Sequence, residues 1–148
     1  MAFENYFKLE FEAKKINESF ARNTVAMFCT ELKPTLSEIN DIKTAVSEAV
    51  TNSIVHGYED KGGRIILEVG IEKNIVDIKI VDQGIGINDI DMAIQPFFTT
   101  KTEEEHSGMG FTLMDSFMNK LEVKENAPSG LIVHMQKVIK GWWKIINR

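Results

Sequence analysis

Phe7, Leu9, Phe11 and Ala13 alternate with Lys8, Glu10 and Glu12, the two-residue period of a strand with one face in a core. The period then lengthens. Phe20, Thr24, Val25, Phe28, Cys29 and Leu32 recur at helical spacing, with Asn17 expected as the cap and Pro34 as the stop. Thr35-Leu-Ser-Glu38 has the spacing of a capping box and opens a second helix. Its apolar stripe runs through Leu36, Ile39, Ile42, Val46, Ala49, Val50 and Ile54, and Gly57 ends it. After the turn Lys61-Gly62-Gly63, residues 64–71 and 75–81 read as antiparallel strands joined by Glu72-Lys73-Asn74. Residues 89–93 suit a short helical turn. Residues 95–106 have no period and mix aromatics with charge, which suits a loop with hydrophobic anchors. Phe111, Met114, Asp115, Phe117 and Met118 return to helical spacing. Residues 120–124 and 131–138 then close the chain as strands around Ala127-Pro-Ser-Gly130.

Composition narrows the class. The chain has 148 residues, 43% hydrophobic and 26% charged, which fits a single globular domain spanning residues 1–148. Apolar runs are only a few residues long, so no membrane partner is expected. The start Met-Ala-Phe-Glu-Asn-Tyr lacks the basic and apolar regions of a signal peptide. The single cysteine, Cys29, has Met27, Phe28 and Leu32 around it and reads as a buried thiol. These features suggest a cytoplasmic protein. A formal net charge of −5 argues against nucleic acid as a direct partner.

Three polar motifs stand out against this frame. Glu48, Asn52 and His56 recur every four residues, so a helix stacks them along one face. A carboxylate and an amide there are hard oxygen donors, suited to Mg²⁺, which usually takes one or two protein ligands alongside substrate phosphates. In the second strand of the hairpin, Val76, Ile78 and Ile80 share a face, and Asp82 continues that face at the strand's end. A carboxylate on a core face needs partners. Gln83-Gly84-Ile85-Gly86 follows at once, so Asp82 is expected at the mouth of a pocket edged by glycine backbone. The third motif, Gly108-Met109-Gly110, precedes a helix whose first N–H groups can meet phosphates. Singly, these motifs also read as a solvated helix face, a turn and a loop–helix junction. Together they match an adenine nucleotide: Asp82 accepts from the exocyclic amino group, Gly84 and Gly86 let backbone approach base and sugar, Gly110 offers N–H groups, and Asn52 supplies the metal oxygen.

Glu-x-x-x-Asn, Asp-x-Gly-x-Gly and Gly-x-Gly in this order resemble the nucleotide site shared by gyrase B, Hsp90 chaperones, MutL and histidine kinases. Within that superfamily, Ser47 to Gly57, Pro96-Phe-Phe-Thr-Thr-Lys101, Ser107 to Phe111 and Asn17-Glu-Ser-Phe-Ala-Arg22 resemble the anti-sigma F factor family of spore-forming bacteria. The resemblance implies an α+β fold, a two-layer sandwich with helices on one face of a mixed, mostly antiparallel sheet, and ATP or ADP held beneath a lid of residues 96–110. It implies a serine kinase that is also a binder: a homodimer that holds a sporulation sigma factor and phosphorylates a serine of an anti-anti-sigma protein. Glu48 would be the base for the attacking serine, Asn52 the Mg²⁺ ligand and Asp82 the adenine reader. Thr99, Lys101, Ser107, Gly108, Met109, Gly110 and Phe111 would line the nucleotide, and Arg22 would contact a partner.

The chain departs from that pattern at His106, where the family usually has Arg, and after Gly130, where Leu131 and Ile132 stand in place of Thr. A hydroxyl beside the adenine is therefore expected to be missing. Two further readings compete: a nucleotide-dependent binding switch that transfers no phosphate, and the ATP domain of a sensor histidine kinase. The first has no need of a carboxylate at Glu48. The second needs a phosphoacceptor histidine on a separate helix pair, and His56, His106 and His134 fall in a helix, the lid and a strand.

Overall fold

The computed structural model describes residues 2–94 and 110–141. β1 (Asn5–Glu12), β2 (Arg64–Glu72), β3 (Ile75–Asp82), β4 (Lys120–Glu125) and β5 (Leu131–Val138) form one sheet in the order β1-β2-β3-β5-β4, and every pairing is antiparallel. The helices are α1 (Ile16–Phe28), α2 (Leu36–Asn52), α3 (Ile90–Ala93) and α4 (Gly110–Phe117). The architecture is the expected helix layer on one face of an antiparallel-rich sheet.

Register explains which face is covered. Leu9, Leu67, Ile80, Val133 and Val123 lie opposite one another across all five strands, an unbroken apolar row. One residue away, Lys8, Glu68, Lys79, His134 and Glu122 form a polar row on the other face. A one-residue slip would exchange these rows, so burial of the apolar one fixes the pairing. Against the inner face lie Ala21 and Val25 of α1, Ile42, Ala45, Val46, Ala49 and Val50 of α2, and Phe111 and Met114 of α4, all buried. Cys29 is buried in the 3-10 turn that follows α1 (Cys29–Leu32), and its surroundings push the thiol pKa up to about 12. Among the described residues, no helix is long and apolar enough to cross a membrane.

Helix α2 begins as its sequence dictates: Thr35 Oγ1 accepts the Glu38 N–H at 3.1 Å, and Glu38 Oε1 accepts the Thr35 N–H at 2.9 Å. Helix α1 differs from expectation. It starts two residues earlier, at Ile16, so Asn17 lies in the first turn and its side chain donates to the Glu12 carbonyl at 2.9 Å instead of capping. Its inward line is Ala21, Val25 and Cys29, four residues apart, which turns Phe20 outward to 51% exposure. On β5, Lys137 occupies an inner-face register position opposite Val76. Its ammonium bonds Asp41 Oδ2 of α2 at 3.0 Å and the Phe117 carbonyl, the last residue of α4, at 2.6 Å.

Candidate functional site

Asp82 ends β3 on the inner face, as the alternation predicts, in register with Ile65 and 2% exposed. Among the described residues its carboxylate takes three hydrogen bonds. Oδ1 accepts the N–H of Gly84 at 3.0 Å and of Leu131 at 3.2 Å, and Oδ2 accepts the hydroxyl of Ser53 at 2.7 Å. A carboxylate has about four acceptor positions. One on Oδ2 is left over by the described residues.

The Ser53 hydroxyl arrives through a change of helical geometry. Helix α2 passes at Asn52 into a π-helical turn (Ser53–Gly57), in which the Tyr58 N–H bonds the Ser53 carbonyl at 2.8 Å. Ala45, Ala49, Ser53 and Gly57 recur every four residues, all small and all buried, and they let this end of the helix come close to the sheet. A Cβ on Gly57 would lie 3.2 Å from Asp82 Oδ2, so that position too is shaped to the carboxylate.

The turn between β4 and β5 closes the other wall. Gly130 has φ +113°, and a Cβ there would stand 2.1 Å from the Asp82 carbonyl oxygen, which only glycine permits. Asn126 Nδ2 donates to that same carbonyl at 2.8 Å, and the Ser129 hydroxyl donates to the Gly84 carbonyl. Tyr58 holds the loop after β3: its hydroxyl donates to the Arg64 carbonyl at 2.6 Å and accepts the Gln83 N–H at 2.7 Å. Gly86 has φ +74° and packs beside Gly130. Ser53, Gly57, Tyr58, Asn126, Ser129 and Gly130 were not singled out as site residues from the sequence. The four-residue spacing of Ala45, Ala49, Ser53 and Gly57 was the available signal for the first two.

Glu48 and Asn52 lie one turn apart on α2, both half-buried. A Cβ on Gly110 would lie 3.3 Å from Glu48 Oε2, so the carboxylate stands beside the first residue of α4. This brings Glu48 of the first motif beside Gly110 of the third. As ligands, one carboxylate and one amide oxygen suit Mg²⁺ bound with phosphates better than an all-protein cage. No group of three or more His, Cys, Asp or Glu suited to a metal occurs among the described residues. Arg22 is ion-paired with Glu18, whose other oxygen accepts the Ser47 hydroxyl, so the proposed partner contact is tied to the residue before Glu48. Thr99, Lys101, Ser107, Gly108 and Met109, together with His106 and the rest of the expected lid up to residue 109, lie outside the described residues, while Gly110, its last residue, opens α4.

The chain matches the family model of the histidine kinase-like ATPase domain over residues 11–137. It is 52% identical to an anti-sigma F factor from a Thermoanaerobacter species over 139 residues, 94% of this chain and 97% of that one. The anti-sigma F factor of Clostridium kluyveri is 52% identical over 136 residues, covering 92% and 96% of the two chains. That of Bacillus licheniformis is 48% identical over 135 residues, covering 90% and 92%. Among solved structures, the RsbU and RsbW domains of a Mycobacterium tuberculosis protein superpose with a TM-score of 0.64 at 16% identity, over 91% of this chain and 32% of that longer one. The catalytic domain of the histidine kinase ThkA gives 0.57 at 17% identity, over 93% and 99%. These two likenesses carry the fold alone.

Proposed function

This chain belongs to the anti-sigma F factor family of histidine kinase-like ATPase domains, and on that premise we propose that it is an ATP-dependent serine kinase that also restrains a sigma factor. The observation that carries the reading is the accounting at Asp82: a buried carboxylate with three acceptor positions filled, and one left over, among the described residues. Such a group selects a ligand that donates, as the amino group of adenine does. Gly84 and Gly86 border the base, and Gly110 and Phe111 begin the helix toward which the phosphates extend. In this reading Thr99, Lys101, Ser107, Gly108 and Met109 complete the nucleotide contacts.

Asn52 offers the amide oxygen for Mg²⁺. When bound, the cation offsets charge on the phosphate oxygens as the terminal group transfers. Glu48, one turn earlier on the same helix, orients the attacking serine hydroxyl of an anti-anti-sigma protein and takes its proton. Arg22 contacts a protein partner, the sigma factor or its competitor. The chain acts in this reading as one domain in a homodimer, away from membrane and nucleic acid.

Incubation with γ-labelled ATP, Mg²⁺ and a candidate anti-anti-sigma protein tests the kinase. Label on a serine of the partner is the expected result. Tight ATP binding without any transfer would leave a nucleotide-dependent switch in its place.

A further inference from the structure

We propose that Ser53 is a positioning residue for base recognition, fixing the Asp82 carboxylate so that its one open acceptor position meets an amino group on the six-position of a purine. The inference rests on the reading of Asp82 as the base reader and adds a residue that acts through it. Ser53 is 1% exposed and Asp82 is 2% exposed, and their side chains meet at 2.7 Å across 29 residues of sequence.

The direction of the bond matters. A hydroxyl has one proton, and an ionised carboxylate can only accept it. The two backbone donors, Gly84 and Leu131, both go to Oδ1. Rotation about the Cβ–Cγ bond, a torsion with broad minima, would swing Oδ1 off these donors, so they oppose it from one side of the carboxylate only. Ser53 is the donor on Oδ2 among the described residues, and it anchors the oxygen that is to meet the ligand. Gly57 contributes no side chain there, where a Cβ would press on Oδ2 at 3.2 Å. The bond is therefore set up before any ligand arrives, and the ordering of Asp82 is no longer charged to binding.

Ser53→Ala removes the hydroxyl and keeps the small buried volume. Calorimetric titration of the full chain with Mg-ATP and with Mg-ITP, whose base carries an oxo group in place of the amino group, separates positioning from general damage. Wild type should prefer ATP by on the order of tenfold or more, as expected for a hydrogen bond to a charged group in a desolvated site. In Ser53→Ala, ATP should weaken by roughly threefold to tenfold while ITP changes by less than about twofold, so the preference shrinks. In an Asp82→Ala background the same substitution should change neither nucleotide. An unchanged ATP-to-ITP ratio in Ser53→Ala, with both affinities kept or both reduced together, would overturn the proposal while leaving Asp82 as reader. A wild-type protein that binds the two nucleotides equally would overturn the Asp82 reading and this inference with it.

Discussion

The carbonyl of Gly57 is packed directly against Gly84: a Cβ on Gly84 would lie 2.3 Å from that oxygen, and the next residue, Ile85, donates its N–H to it at 2.9 Å. The end of the π-helical turn and the loop after β3 are thus joined backbone to backbone. Gly84 serves this internal contact, in addition to any approach of a ligand.

Gly84→Ala should therefore destabilise the fold itself. The methyl group meets the backbone of Gly57 and no flexible side chain, so relief requires moving one segment away from the other, at about 2–4 kcal/mol. Gly62→Ala is the control, since its φ is +89° but nothing lies within 4 Å of the added atom. Its cost should be the conformational strain alone, about 1–2 kcal/mol. Urea denaturation of both variants gives the comparison. Equal losses would mean that the Gly57–Gly84 contact yields easily.

Glu38 links the start of α2 to the end of the described chain, through the N–H groups of Thr35 at 2.9 Å, Lys140 at 2.7 Å and Gly141 at 2.9 Å. Burial acts to raise its pKa, but these donors and the Thr35 hydroxyl outweigh it and hold the carboxyl below its ordinary 4.5. The folded value lies below the unfolded one. The stabilisation is therefore fully present above about pH 4.5 and is lost as pH falls through the folded value. Melting curves of wild type and Glu38→Gln should differ in favour of wild type at pH 7 and converge in acid. A difference that persists below pH 3 would assign the effect to shape instead of charge.

Much of this arrangement was written in local pattern. Alternation placed Asp82 on the core face because a strand has no other way to bury Val76, Ile78 and Ile80, and the capping box placed Thr35 and Glu38. Phe20 misled because hydrophobicity alone does not rank inward positions; the small Ala21 lets α1 lie close, and the larger ring is left outside. The π-helical turn has no residue signature of its own, since it is a choice of hydrogen-bond partner. The remaining donors to Asp82 were hidden by distance along the chain: Ser53 lies 29 residues before it and Leu131 49 residues after it. Periodicity shows which face a residue takes, and only the fold shows what stands opposite.

Lys137 offers a test of how the far end of α4 is held. Its side chain, 13% exposed, bonds Asp41 and the carbonyl that closes α4, where a cation also complements the helix dipole. Lys137→Met keeps the stem and removes the charge, leaving Asp41 half-covered without this partner. A loss of about 1–3 kcal/mol is expected, with faster amide exchange in residues 114–117 than in α2. Uniform exchange across both helices would show that the clamp is global.

Glu48 decides between kinase and switch. Phosphoryl transfer asks a protein mainly to position groups and to stabilise charge, with a carboxylate orienting the attacking hydroxyl and accepting its proton. Glu48 is one turn before Asn52 on α2 and its carboxylate faces Gly110, the first residue of α4, within 3.3 Å of where a side chain there would begin. It therefore stands at the phosphate end of the proposed site, remote in sequence from the base reader Asp82. Glu48→Gln keeps size and hydrogen-bonding reach while removing the negative charge and most of the basicity. Mg-ATP binding should change by less than about tenfold, and phosphorylation of the partner serine should fall on the order of a hundredfold or more. Asn52→Ala should act earlier, weakening Mg-dependent nucleotide binding itself. Single-turnover measurements at saturating ATP separate the two steps. If Glu48→Gln transfers phosphate at the wild-type rate under those conditions, Glu48 is a structural neighbour of α4 and the base lies elsewhere.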